Sequence, residues 1–269
     1  MMDTPDLPPL RIAHLYPSLL NVAGDGGNVM AVVSRAEWRG LRTEVVPVGL
    51  DSTPDFSSFD MVFFQGGQDV EMKVAAEDLA AKGASLHDAA SAGVVMLAVC
   101  AGLQLLGHRY VSADGGVISG VGVLDLETVA GNTRFMQHAA CRVTIGGRSD
   151  TVVGFENHSG RTTLGPAAEP LGEVVAGAGN NATDGFEGAR QGNVFATYLH
   201  GPVLPKNPWF ADELAQLAWS RAVGGPVELE PLDDQVERRN HDKALELALH
   251  HAGEATVLQP AQLARGLDS

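Results

Sequence analysis

Up to Gly107, short unbroken apolar runs alternate with stretches in which apolar residues recur every three or four positions. Continuous runs of this kind fit strands buried on both faces, and the wider spacing fits one-sided helices. The pattern predicts strands over 11–16, 42–48, 60–65 and 94–99. It predicts helices over about 28–39, closed by Gly40, and over 70–92, broken near Gly83. Strand and helix in alternation imply an α/β fold, a doubly wound, mostly parallel sheet. After Gly107 the texture changes: residues 115–200 are rich in glycine and β-branched residues, with short runs at 116–126, 141–145, 151–155, 173–176 and 193–198. These predict an antiparallel extension of hairpins and returning strands within the same domain. Helices over about 208–223 and 233–252 follow. The expected organisation is a flexible N-terminus (1–10), a single domain (11–252) and a flexible C-terminal tail (253–269).

The sharpest local feature is the run Val94-Val95-Met96-Leu97-Ala98-Val99-Cys100-Ala101-Gly102-Leu103-Gln104. A strand that becomes a helix with no loop between them forces the junction residue into a strained conformation and displays its side chain at the sheet's carboxyl edge. Small residues, Ala98 and Gly102, stand where larger ones would collide with the turn, and the following helix aims its amino end at the sulfur. Cys100 is thus a candidate nucleophile; the alternative is a buried structural cysteine. A thiol nucleophile needs a base, and position selects His200 from the nine histidines: it ends the strand-like run Asn193–Leu199, and Gly201-Pro202 stops the strand there. Ligands of doubly wound sheets bind beyond the strands' carboxyl ends, where Cys100, His200 and Gln65-Gly66-Gly67-Gln68 should all lie. The polar string Gly154–Thr162 (GFENHSGRT), with Asn157 and His158, follows a predicted strand and suits either ligand recognition or a well-satisfied turn.

Composition narrows the class. At 269 residues, with 45% hydrophobic and 19% charged, the chain reads as an ordinary globular protein. A net charge of −15 argues against a nucleic-acid partner. Two cysteines form no disulfide framework, and residues 1–10 lack the basic start and apolar core of a signal peptide, so a reducing cytoplasm is expected. No run is long enough for a membrane span, no Cys or His cluster has metal-ligand spacing, and no G-x-x-x-x-G-K-[ST] loop offers to cradle ATP phosphates.

Several ordered strings together carry a family resemblance: Cys100–Gln104, Gln65-Gly66-Gly67-Gln68-Asp69 and Thr197-Tyr198-Leu199-His200-Gly201-Pro202. The chain resembles class I glutamine amidotransferase domains of the cobyric-acid-synthase type, which have a flavodoxin-like fold. With Gly154–Thr162, Gly201–Asn207, Gly131-Asn132-Thr133-Arg134 and the loop Leu20-Asn21…Gly24-Asp25…Gly27-Asn28, it resembles the glutaminase subunits of lipid II isoglutaminyl synthases. The resemblance spans about residues 10–250 and implies Cys100 as nucleophile, His200 as base and Arg134 as the residue that binds glutamine. A guanidinium grips an amino-acid carboxylate with two prongs. Backbone N–H groups of Gly66, Gly67 and Ala101 are the expected oxyanion donors, with Gln104, Asn157 and His158 as possible pocket residues.

The resemblance further implies L-glutamine as substrate and a heterodimer with a Mur-ligase-like synthetase, MurT. The partner would use ATP and Mg to amidate the α-carboxyl of D-glutamate in the lipid II stem peptide at the inner membrane face; no cofactor or metal is expected in this chain. Two positions depart from the common pattern. Ala98 replaces a glycine two before the nucleophile. Pro202 stands where many relatives carry the glutamate that orients the histidine, so the expected site is a Cys–His dyad, with any third group supplied from elsewhere in the chain or, as the resemblance favours, by the partner. A different acceptor such as a cobalamin precursor, a non-catalytic glutamine-sensing module, and a cysteine peptidase on a similar scaffold are the other readings.

Overall fold

The computed structural model describes residues 7–21, 24–252 and 257–258. In chain order the elements are β1 (Leu10–Leu15), α1 (Gly27–Glu37), β2 (Thr43–Val48), β3 (Met61–Phe64), α2 (Asp69–Ser91), β4 (Val95–Val99) and α3 (Ala101–Leu106). Then come β5 (Arg109–Val111), β6 (Val117–Ser119), β7 (Leu126–Ile145), β8 (Arg148–Leu164), β9 (Gly172–Ala176), β10 (Phe186–Glu187), β11 (Ala189–Gln191), β12 (Val194–Thr197) and β13 (Leu199–His200). The chain closes with α4 (Val203–Lys206), α5 (Pro208–Val223), α6 (Gln235–Ala252) and β14 (Val257–Leu258).

The first sheet has six strands in the order β11-β12-β4-β3-β1-β2, all parallel except β11. Its inner strands β3, β4 and β12 are buried on both faces, as their unbroken apolar runs require, while β2 at the sheet edge is far more open. Met61, Phe63, Val95 and Leu97 point into a core completed by α1 and α5, including Val32, Phe210 and Trp219. Val62, Phe64, Met96 and Ala98 point the other way, into a core completed by α2 and α3, including Met72, Leu79 and Leu103. This strict alternation along each strand is the side-chain period of two. The doubly wound sheet predicted from sequence is present, with eight further strands in a second, largely antiparallel sheet.

Four expectations need correction. Helix α2 runs unbroken through Gly83; a Cβ there would lie 3.3 Å from Val121 Cγ1, so the glycine lets a neighbouring loop approach and breaks nothing. The short runs expected between 126 and 164 are one long hairpin, β7 against β8, in register from Leu126↔Leu164 to Ile145↔Arg148 apart from a bulge between Ala130 and Phe135. The run at 193–198 joins the parallel sheet beside β4, not the antiparallel part. Residues 7–10 are anchored: Leu7 is buried, Leu10 opens β1, and Trp219 Nε1 donates to the Pro8 carbonyl at 3.0 Å. The rest of the expected flexible termini, 1–6, 253–256 and 259–269, lies outside the described residues, while Val257 and Leu258 pair with Phe135 and Arg134. Among the described residues, no helix is long and apolar enough to cross a membrane.

Candidate active site

Cys100 sits at the tight junction between β4 and α3, with φ 49° and ψ −98°. That is a strained conformation for a residue with a side chain, of the kind that persists only where surrounding structure enforces it. Three contacts enforce it here. Cys100 N–H donates to the Thr197 carbonyl at 2.8 Å, and the Cys100 carbonyl accepts from Gln104 N–H at 3.1 Å. A Cβ at Gly102 would lie 2.6 Å from the Phe64 carbonyl oxygen, so the helix can approach β3 this closely only with glycine there. Helix α3 has only six residues. Its contribution is therefore local, chiefly the Ala101 N–H beside the sulfur, and not a long macrodipole.

His200 ends β13 on the same rim and is 7% exposed. Its imidazole hydrogen-bonds the Cys100 thiol on one side. On the other, Nδ1 donates to Asp25 Oδ2 at 2.9 Å, which leaves Nε2 for the sulfur. Burial works against the charged ring, but the charge of Cys100 and hydrogen bonds with Asp25 and Cys100 outweigh it and push the His200 pKa up to about 10. The imidazole thus interacts with both the sulfur and the carboxylate. This is the geometry in which a base is held in one tautomer by the group behind it.

Asp25 is the functional group that sequence reading did not select. It lies fully buried in the loop between β1 and α1. Pro202, which cannot orient the histidine itself, forms the surface on which that loop docks. A Cβ at Gly27 would lie 2.4 Å from Pro202 Cγ, and Asn28 Oδ1 accepts from Leu204 N–H at 2.8 Å. A carboxylate able to serve as the third group, which the resemblance favoured as the partner's, thus stands behind His200 in this chain. A lone carboxylate among glycines at the carboxyl end of β1 was the available signal.

The remaining candidates separate. Gly66 N–H faces Asp25 Oδ2 at 3.4 Å, and a Cβ at Gly66 would lie 2.7 Å from His200 Cε1. That glycine makes room for the histidine, and its N–H is turned away from an oxyanion role; Gly67 and Ala101 remain as candidate donors. Arg134 lies beside the β7 bulge, where Nε donates to Asn157 Oδ1 at 2.6 Å and Nη2 to the Asn157 carbonyl at 3.1 Å. Asn157 thus fixes the guanidinium. Gln104 is buried and donates to the Tyr198 hydroxyl at 3.2 Å, tying α3 to the strand that precedes His200.

His158 is not on a loop, because the GFENHSGRT string lies inside β8. Its ring stacks on Tyr198 at 3.7 Å, Nδ1 pairs with the Gly160 carbonyl at 3.0 Å, and burial drives its pKa down to about 3. It is a neutral core histidine. Residues alternate along β8, so Glu156 and His158 are buried while Asn157 and Ser159 are more open. Cys141, the second thiol, is buried 3.8 Å from Glu187 Oε2, and burial raises its pKa. His87 and His108 are tied to the Val121 carbonyl and Asp125. No cluster of three or more His, Cys, Asp or Glu among the described residues could hold a metal ion.

Comparison with known proteins bears on the family and the fold. The family model for the CobB/CobQ-like glutamine amidotransferase domain matches residues 11–208. The chain is 40% identical to subunit GatD of the glutamine-hydrolysing lipid II isoglutaminyl synthase of Streptococcus pneumoniae, over 84% of this chain and 86% of that one. It is 36% identical to the Staphylococcus aureus subunit of the same name, over 85% and 91%. Among solved structures, a chain of the Thermotoga maritima PurLQS structure is similar with a TM-score of 0.53 at 16% identity, covering 80% of this chain and 98% of that one. This last likeness speaks to the fold alone.

Proposed function

The chain belongs to the CobB/CobQ-like glutamine amidotransferase family, and from that premise we propose that it hydrolyses glutamine and supplies the ammonia for amidation of lipid II. The observation that carries the chemistry is the Cys100–His200–Asp25 cluster beneath a strained elbow. Glutamine docks with its α-carboxylate on Arg134. The Cys100 sulfur attacks the side-chain carboxamide, and the developing oxyanion is met by the Gly67 and Ala101 N–H groups. His200 protonates the departing ammonia, then takes a proton from the water that cleaves the γ-glutamyl thioester. Asp25 holds the imidazole in register and stabilises its charged form. Removal of one oxyanion donor typically costs about 3 kcal/mol of barrier.

The relatives' names, as subunits of lipid II isoglutaminyl synthases, support lipid II as acceptor and a second subunit; the nature of that subunit rests on the family resemblance drawn from the sequence. The ammonia goes to a Mur-ligase-like synthetase that activates the D-glutamate α-carboxyl with ATP, the two chains forming a heterodimer in the cytoplasm. With its own Asp25 behind His200, this chain has a nucleophile, a base and an orienting carboxylate before the partner binds. The test is ammonia release from glutamine by the purified chain, alone and with the co-purified partner, with Cys100→Ala as control. Turnover abolished in Cys100→Ala supports the reading; undiminished turnover in that variant ends it.

A further inference from the structure

The string Gly185-Phe186-Glu187-Gly188 has no part in the mechanism above, yet Glu187 reaches the four residues on which both catalytic side chains depend. Thr197 ends β12 in the parallel sheet, paired with Val99 beside Cys100. Leu199 and His200 form β13, paired with Glu156 and Phe155 in the other sheet. The chain changes sheets at Tyr198, which stands between the two strands, and its N–H donates to Glu187 Oε1 at 2.7 Å. Thr197 Oγ1 donates to the same oxygen at 3.0 Å and accepts from Leu199 N–H at 3.0 Å. The Thr197 carbonyl accepts from Cys100 N–H at 2.8 Å. One carboxylate oxygen thus gathers the segment that ends in the base and holds the nucleophile's backbone. Glu187 is itself fixed: β10 pairs with β9, and Asn180 bonds both the N–H and the carbonyl of Gly188 at 2.8 Å. Gly188 has φ +66°, and a Cβ there would lie 2.2 Å from the Ala196 carbonyl oxygen, so glycine lets this turn lie against β12.

A strand that leaves one sheet for another loses ladder partners at the crossing, and a buried N–H left unpaired there is costly. The crossing therefore takes its shape from the acceptor it is offered. We propose that Glu187 is a positioning residue for glutamine hydrolysis: its Oε1 sets the bend at Tyr198 and, through Thr197 and His200, the spacing of thiol and imidazole. This rests on the glutaminase reading and adds a residue to its machinery. The role needs an acceptor oxygen, which a carboxyl group offers in either charge state. Arg134, on β7, is the residue assigned to glutamine binding, so loss of Glu187 is felt in the chemical step and not in substrate affinity. A purely structural role would lower stability without separating kcat from KM.

The experiment measures kcat and KM for ammonia release from L-glutamine, using the full chain with the partner it carries from its own cells. Glu187→Ala should lower kcat about 10- to 100-fold with KM nearly kept, as expected when reacting groups are misplaced. Glu187→Gln keeps the acceptor oxygen and should stay near the wild-type kcat. Thr197→Val keeps a branched side chain and the carbonyl that holds Cys100 but loses the hydroxyl; its kcat should fall about tenfold. This variant decides the matter if Glu187→Ala does not fold. Cys141→Ala, which removes the contact to the other carboxylate oxygen, should leave both constants unchanged. A wild-type kcat in Glu187→Ala or Thr197→Val overturns the inference, as does a Glu187→Gln as slow as Glu187→Ala or a loss confined to KM. Each of those outcomes leaves the glutaminase reading standing. A wild-type protein that releases no ammonia from glutamine removes that reading, and this inference falls with it.

Discussion

Asp25 Oδ2 accepts a hydrogen bond from His200 Nδ1 at 2.9 Å although the two residues lie 175 positions apart in the chain. The contact places a carboxylate behind the imidazole where the local motif, with proline at 202, offers none. Replacing Asp25 by asparagine removes the charge that supports the imidazolium and lets the ring adopt the wrong tautomer. The expected loss in kcat is about a hundred- to ten-thousand-fold, with a much smaller change in KM for glutamine. Steady-state ammonia release measures it. Near wild-type kcat in Asp25→Asn would show that the contact is structural only.

The raised pKa of His200, about 10, has a consequence for stability. The folded-state value lies above the ordinary 6.5, so the folded protein holds this proton more tightly than the unfolded chain does. The stabilisation is complete below pH 6.5 and is lost as pH rises through 10. Cys100→Ser removes the charge that contributes most to the rise. His200 should then titrate at lower pH by NMR, and urea unfolding of the variant should depend less on pH across that window. An identical His200 titration in both proteins would contradict the pairing.

Arg134 is held by two hydrogen bonds to one residue, Asn157. Asn157→Ala should release the guanidinium and raise KM for glutamine about tenfold with kcat nearly kept, as expected for loss of uniform binding. Arg134→Lys should do at least as much damage, because an ammonium cannot reproduce the two-pronged grip on a carboxylate. Substrate-saturation curves separate these effects. A loss confined to kcat would remove Arg134 from the binding role.

Glu187 is fully buried on β10, where Oε1 accepts from Tyr198 N–H at 2.7 Å and from Thr197 Oγ1 at 3.0 Å. Burial raises its pKa to about 7 despite those bonds. The folded protein therefore takes up a proton here that the unfolded chain has released, and stability falls as pH rises from 4.5 to 7. Glu187→Gln keeps the acceptor oxygen and removes the charge. The pH 5 to pH 8 loss of stability should shrink by about 1–3 kcal/mol in this variant, read from denaturant midpoints. An undiminished loss would show that Glu187 stays in one protonation state.

Gly102→Ala should be costly, since the added methyl would lie 2.6 Å from a backbone carbonyl that has nowhere to go. Overpacking of this kind destabilises by about 1–3 kcal/mol and would also disturb the elbow that presents Cys100. Thermal unfolding and the rate of Cys100 alkylation are the two readouts. A variant normal in both would mean that the turn is less constrained than its geometry implies.

The sequence alone determined what depends on neighbours along the chain. Unbroken apolar runs marked the strands of the parallel sheet, small residues around Cys100 marked the elbow, and the glycine-proline stop after His200 placed that ring on the same rim. Tertiary structure decided whatever depends on which segments meet. The GFENHSGRT string is polar enough to pass for a loop, yet pairing with β7 makes it a strand and buries His158 against Tyr198. Asp25 becomes His200's partner only because the loop after β1 reaches past β3 and β4, the strands that separate β1 from β12, and Gly27 lets it settle on Pro202. Local pattern reports each residue's own backbone preference, whereas a hydrogen bond across 175 residues is set by the packing of the whole sheet, which no local window contains.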